Sequence, residues 1–180
     1  MALGATLYSF AIELADMDRG VYETLDVKAA RHPSETEEAL ITRVLAYCRE
    51  FADGIGFSPG VSTPDEPAIF VRDLTGALRA WIDIGAPDAA RIHKARKSAD
   101  RVAVYTSRDP KQMLANWAGE RIHKAESIDV FSFDPAMIAA LVGRLERRMA
   151  FSLSVSDAHL YAAFGDATID GAIQRHPIVV

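Results

Sequence analysis

The run of residues 65–101, DEPAIFVRDLTGALRAWIDIGAPDAARIHKARKSADR, constrains the fold more than any other part of the chain. Ile69-Phe70-Val71 and Leu78 to Ile84 are β-rich, and Asp73-Leu74-Thr75-Gly76 between them has Asp at the first and Gly at the last position of a turn. This predicts a hairpin in which Arg72 faces Ala77, Ala68 faces Trp81 and Glu66 faces Asp83. Side chains alternate along a strand, so Glu66, Ala68, Trp81 and Asp83 would share one face. Gly85-Ala86-Pro87 then turns the chain sharply, with Pro87 suited to a first helical position. Residues 88–99 follow as a helix, apolar at Ala89, Ile92, Ala95 and Ala99, and Val102 to Tyr105 reads as a buried strand. From Val102 onward, strand, helix, strand and helix in succession favour parallel pairing through right-handed crossovers.

The flanks extend this pattern. Residues 3–14 and 21–30 are β-rich around a turn at Asp16-Met17-Asp18-Arg19-Gly20, and Leu25 and Val27 alternate with Asp26 and Lys28. After His32-Pro33, Ser34 and Glu37 have the spacing of a capping box, and Leu40, Ile41, Val44, Leu45, Cys48 and Phe51 recur at helical intervals. Glu38 flanks that stripe, where a carboxylate either reaches a cleft edge or is a solvated first-turn acid. A loop punctuated by Gly54, Gly56, Pro59, Gly60, Pro64 and Pro67 leads into the hairpin. Beyond it, residues 110–124 predict a helix, 128–133 a strand, and Asp134-Pro135 the cap and opening of another helix. Phe151, Leu153 and Val155 alternate with serines as a half-exposed strand, Asp157 turns the chain, and strands at 160–164 and 167–173 close it. The expectation is one domain over residues 1–180, mixed α/β, with antiparallel strands added at both ends.

With 49% hydrophobic and 25% charged residues, the balance is that of a soluble globular protein. No apolar run approaches the roughly 18–20 residues of a spanning helix, so no membrane partner is expected. The N-terminus lacks a basic region and a cleavage site, and Cys48 has no second cysteine to pair with, so a cytoplasmic location is expected. A net charge of −5 gives no global attraction to nucleic acid, which leaves the basic helix of Arg91, His93, Lys94, Arg96 and Lys97 as the local candidate. Phosphate-cradling loops, nucleophile elbows and zinc spacings are missing, and Cys48 on an apolar stripe reads as a packed thiol.

The order of capped acidic helix, hairpin with an acid on its second strand, basic helix, strand and helix resembles the core of the PD-(D/E)XK, or restriction-endonuclease-like, superfamily. A closer resemblance, to the YaeQ family, is carried by Met1-Ala2-Leu3, Ala15-Asp16-Met17-Asp18-Arg19 and Arg31-His32-Pro33-Ser34-Glu35-Thr36. It continues through Asp65-Glu66-Pro67, Asp73-Leu74-Thr75-Gly76, Trp81-Ile82-Asp83-Ile84-Gly85, Pro87-Asp88, Arg91-Ile92 and Lys94-Ala95. The resemblance implies a restriction-endonuclease-like mixed sheet flanked by helices, and a variant acidic site for Mg²⁺ or Mn²⁺. Carried over by position, Glu38 resembles the helix acid, Asp83 the second-strand acid, and Lys94 a lysine displaced onto the following helix. Two departures stand out: Ala68 where the family usually has Asp, and Gly85 where the superfamily usually has Lys. Glu66, opposite Asp83 in the expected register, would replace the missing metal ligand, and Arg91 and Lys97 would hold a phosphate. The implied activity is metal-dependent hydrolysis of nucleic-acid phosphodiesters. The alternative is a non-catalytic module using the same cleft to bind nucleic acid or a protein partner. A plainer reading of the same residues is that Glu66 and Asp83 solvate a strand end while Arg91 and Lys94 pair with them.

Overall fold

A computed structural model describes residues 4–59 and 65–178, so Met1-Ala2-Leu3, Gly60 and Pro64 lie outside the described residues. Among the described residues the chain is mixed α/β with ten strands and four helices. It divides into two compact units, Met1–Glu50 with Phe133–Ile173 and Phe51–Ser132 with Gln174–Val180.

In the first unit, β1 (Thr6–Asp16) and β2 (Val21–Arg31) form the expected hairpin, registered from Thr6↔Arg31 to Asp16↔Val21. β8 (Arg148–Ser156) runs parallel to β1, and β9 (His159–Ala163) and β10 (Thr168–Arg175) continue antiparallel, giving the order β2-β1-β8-β9-β10. The β1–β8 pairing joins residues about 140 apart in sequence, a separation no local pattern encodes. Phe10, Ile12, Leu14, Leu25 and Val27 face inward with a period of two, and Leu40, Val44, Leu45, Ile138 and Leu141 supply the helical side of the core. Burying each such side chain contributes about 1.5–3 kcal/mol. The helices are α1 (Glu37–Arg49) and α4 (Pro135–Gly143), and Asp134 caps α4 by accepting from Ala136 N at 2.9 Å, as expected. Gly171 is required where β10 crosses α4, because a Cβ there would stand 2.8 Å from Asp134 Cβ and 2.9 Å from Met137 Cβ.

The start of α1 differs from the capping-box expectation. Thr36, not Ser34, is the cap, with its hydroxyl accepting from Ala39 N at 3.1 Å. Glu35 is responsible, because its buried carboxylate accepts from Arg43 Nε and Nη2, both at 2.9 Å, on the second turn of α1. That bond holds residue 35 outside the helix, and Ser34 is left bonded to His32 Nδ1 at 2.7 Å. Glu37 therefore opens the helix and fills no box.

In the second unit the order is β7-β6-β5-β4-β3, built from β3 (Ile55–Phe57), β4 (Ile69–Arg72), β5 (Leu78–Ile84), β6 (Arg101–Thr106) and β7 (Asp129–Phe133). β6 and β7 are parallel, as the strand–helix–strand reading expects, β5 also runs parallel to β6, and β3, β4 and β5 are antiparallel. α2 (Ala89–Ser98) lies in the connection from β5 to β6, and α3 (Lys111–Trp117) in that from β6 to β7. Ile92, Ala95 and Ala99 pack with Trp81, Val102, Val104, Met113 and Trp117 in one core. Asp88 caps α2 by accepting from Arg91 N at 2.8 Å, so Pro87 precedes the helix; its carbonyl instead accepts from Trp117 Nε1 at 2.9 Å. α3 stops at Trp117, seven residues short of the expected Lys124, because Gly119 turns left-handed at φ +82° and Lys124 at φ +46°.

Candidate functional site

The hairpin register decides what surrounds Asp83. Phe70 pairs with Trp81 and Val71 with Ala80, whereas Arg72 pairs with Leu78, so Arg79 bulges out of β5. The loop is one residue longer than expected, because Asp73 N donates to Ala77 O at 3.0 Å, and Asp73 Oδ1 also accepts from Thr75 N and Ala77 N. Loop and bulge together shift the register by two residues. An even shift keeps the faces but slides the partners, so continuing the pairing brings Ala68, not Glu66, opposite Asp83. Ala68 N donates to Asp83 Oδ1 at 3.4 Å.

Asp83 is 3% exposed and sits on β5 between buried Ile82 and half-buried Ile84. Its carboxylate is engaged by Arg91, one turn into α2: Nε donates to Oδ2 at 2.7 Å and Nη2 to Oδ1 at 3.0 Å. Arg91 Nη2 also donates to Glu66 O at 2.7 Å, and the guanidinium lies 5.2 Å from the Trp81 ring centroid. A bidentate guanidinium–carboxylate pair is a strong, directional bond, and the aromatic face adds a cation–π contact. The Asp83 bond, ahead of other causes, holds the Arg91 pKa above its ordinary value. Three segments meet here, β5, α2 and the approach to β4, joined through one guanidinium.

The other candidate residues are placed as follows. Lys94 is exposed and ion-pairs with Asp65. Lys97 is exposed on the same helix. Glu66 is half-buried and meets Arg91 through its backbone carbonyl. Glu38 is exposed in the first turn of α1, in the first unit, whereas Asp83 belongs to the second. Gly85 has φ +97°, in the left-handed region, and its N donates to Tyr105 O at 2.9 Å. A lysine there would be strained.

A divalent metal does not fit these residues. Mg²⁺ demands several anionic oxygens in a near-octahedral set. Both oxygens of Asp83 already accept from Arg91, Ala68 contributes no carboxylate, and the described residues hold no group of three His, Cys, Asp or Glu able to grip a metal.

Charged motif residues outside the hairpin also bond internally. Asp16, 1% exposed, accepts from Arg19 Nε at 2.8 Å, and Arg19 Nη2 donates to Cys48 O at 3.3 Å. Asp18 accepts from the N–H groups of Asp157 and Ala158 at 2.8 and 2.9 Å, which lower its pKa and pin the β8–β9 turn. Sequence reasoning assigned neither these bonds nor the Glu35–Arg43 pair, although the i, i+8 spacing of Glu35 and Arg43 was available as a signal. It also missed that Arg121, His123 and Lys124, placed in a helix, lie in a loop tied to α2: His123 N donates to His93 Nδ1 at 3.0 Å.

A family model described as YaeQ protein matches residues 1–172. The chain belongs to the YaeQ family. It is 31% identical over 163 residues to the uncharacterised YaeQ protein of Salmonella typhi, covering 89% of this chain and 90% of that one. To the uncharacterised YaeQ protein of Escherichia coli strain K12 it is 29% identical over 164 residues, with the same coverage. The crystal structure of YaeQ protein from Xanthomonas axonopodis pv. citri is similar with a TM-score of 0.85 and 29% identity, over 97% of this chain and 99% of that one. That of YaeQ protein from Pseudomonas syringae gives a TM-score of 0.85 and 25% identity, over 95% of each. Thus Asp16, Arg19, Glu35, Asp73, Asp83 and Arg91, which lie in the stretches that carry the YaeQ resemblance, are all bonded within this chain. No helix among the described residues is long and apolar enough to cross a membrane.

Proposed function

We propose that this chain is a non-catalytic nucleic-acid-binding module built on a restriction-endonuclease-like fold. The observation that supports binding without hydrolysis is the engagement of Asp83: both its carboxylate oxygens accept from Arg91, so a metal would have to compete with that guanidinium. Arg91 is equally committed, so it does not clamp a phosphate, and Lys94 is paired with Asp65. Binding therefore relies on cations further along α2.

The test is calorimetric titration of Mn²⁺ into the wild type and Asp83→Ala, with circular dichroism establishing the fold of each. Alongside it, binding and cleavage of labelled DNA and RNA are measured in EDTA and in Mn²⁺. Expected are no Asp83-dependent metal uptake, undiminished binding in EDTA, and intact nucleic acid. Cleavage in Mg²⁺ or Mn²⁺ that disappears in Asp83→Ala would reinstate the hydrolytic reading, with Glu38, Asp83 and Lys94 as its residues and Glu66 as a further ligand. A folded wild type that binds no nucleic acid would leave a protein partner as the remaining reading.

A further inference from the structure

The strongest charge feature of the second unit lies away from Asp83. α2 carries His93, Arg96 and Lys97 from its midpoint onward, and the loop after α3 carries Arg121, His123 and Lys124. The two segments are fixed together. Besides the bond from His123 N to His93 Nδ1, Arg96 Nε donates to Ser127 Oγ at 2.7 Å, and Ser127 Oγ donates to Lys124 O at 2.7 Å. Lys124 sits in the left-handed region at φ 46° and ψ 48°, a conformation that a non-glycine residue adopts only where its surroundings impose it. The closeness of these charges shows in His123: desolvation, then Lys124, Arg96, Lys97 and His93, push its pKa down.

Several cations of the second unit ion-pair with aspartates, among them Arg91, Lys94, Arg101 and Arg175. Arg96, Lys97, Arg121 and Lys124 do not. Among the described residues none of the four is in an ion pair, and Glu120 and Glu126, which border the loop, take no such partner either. Cations near a helix C-terminus do favour the helix dipole, which explains Arg96 and Lys97 but not the loop residues brought against them.

The chemistry of the patch selects the ligand. Its large exposed apolar residues would have to be there for membrane insertion, yet those of the described chain are Leu7, Met17, Tyr22, Leu74 and Tyr161, none on α2 or the loop. Single-stranded nucleic acid is held by aromatic faces on which bases stack, and the patch offers none beyond its two imidazoles. What remains is a cluster of guanidinium and ammonium groups on two segments tied to each other, suited to the phosphates of a duplex. Resting on the reading above, we propose that Arg96, Lys97, Arg121 and Lys124, framed by His93 and His123, form a sequence-independent docking surface for the phosphate backbone of double-stranded nucleic acid.

The experiment is fluorescence anisotropy with a labelled duplex of about 20 base pairs and the matching single strand, over a range of salt concentrations. The full-length wild type is compared with the double variant Lys97→Ala/Lys124→Ala and with the control Lys28→Ala/Lys111→Ala, which removes equal charge elsewhere. All four lysines are exposed, so the fold is retained. Expected is a duplex affinity that falls steeply with salt, a loss of about tenfold at low salt in the patch variant, and a shallowing of the log–log salt slope by about 2. The control stays at wild-type values. Duplex binding that the patch variant leaves intact, or that both variants weaken equally, overturns the patch while the binding-module reading stands. Preference for the single strand overturns the duplex assignment, and absence of any binding by the wild type overturns both readings.

Discussion

At the scale of single residues, the buried charged side chains of this chain act on each other. Asp83 and Arg91 form a largely buried pair, 4% and 21% exposed at the side chain, and removing one partner strands the other. Arg91→Ala is expected to cost about 3 kcal/mol in urea unfolding. Glu35→Ala, which takes the carboxylate from the 9%-exposed Arg43 and leaves it the bond to Ala30 O, should cost a similar amount. Cys48 is fully enclosed, and burial pushes its thiol up to about 12, so the native protein should resist thiol-specific alkylation at neutral pH and react fully in denaturant. Asp73 titrates in the opposite direction. The Thr75 hydroxyl, then Arg79 and the Ala77 and Thr75 N–H groups, hold its pKa at about 2, below the ordinary 3.8. Because the folded value is the lower one, its contribution is complete above about pH 4 and is lost as pH falls toward 2. Asp73→Asn should flatten that part of the acid-unfolding profile.

Elements were legible where a local period sets them. Alternation in β1, β2 and β8 and the three-and-four spacing in α1 follow from backbone geometry alone, and the structure has these elements within a few residues of their expected bounds. The ends of elements were harder, because a cap is a competition among neighbours. Thr36→Ala should destabilise by about 1 kcal/mol, whereas Ser34→Ala should stay within about 0.5 kcal/mol, as measured by chemical denaturation. The reverse order would return the cap to Ser34. The β4–β5 register failed for a similar reason: Arg79 reads as an ordinary strand residue, whereas in the structure it bulges out of β5 and ion-pairs with Asp73 and Asp100.

At the scale of the molecule, the outcome is a YaeQ-family chain of two compact units, each of which holds part of the expected ligand set. Glu38 lies exposed in one unit, Asp83 is bonded to Arg91 in the other, and Glu66 presents its backbone. Thermal unfolding should therefore be the same in EDTA and in millimolar Mg²⁺, since a ligand that does not bind the native state cannot stabilise it. An Asp83-dependent rise in melting temperature with Mg²⁺ would contradict this. The basic helix was visible in sequence, but which of its cations are spent internally was not.

The sequence by itself determined the order and type of most elements, the turn at Asp73–Gly76, and the presence of acids and bases close enough along the chain to meet. Those features depend on period, φ preference and proximity, all local quantities. Tertiary structure alone decided that β8 joins β1 and that Glu35 rather than Ser34 commits its side chain at the start of α1. It also decided that Arg91 closes on Asp83, and that the loop at Arg121–Lys124 adds its charge to Lys97. A carboxylate has several possible cations within reach in sequence, and only the docked position of a helix selects among them.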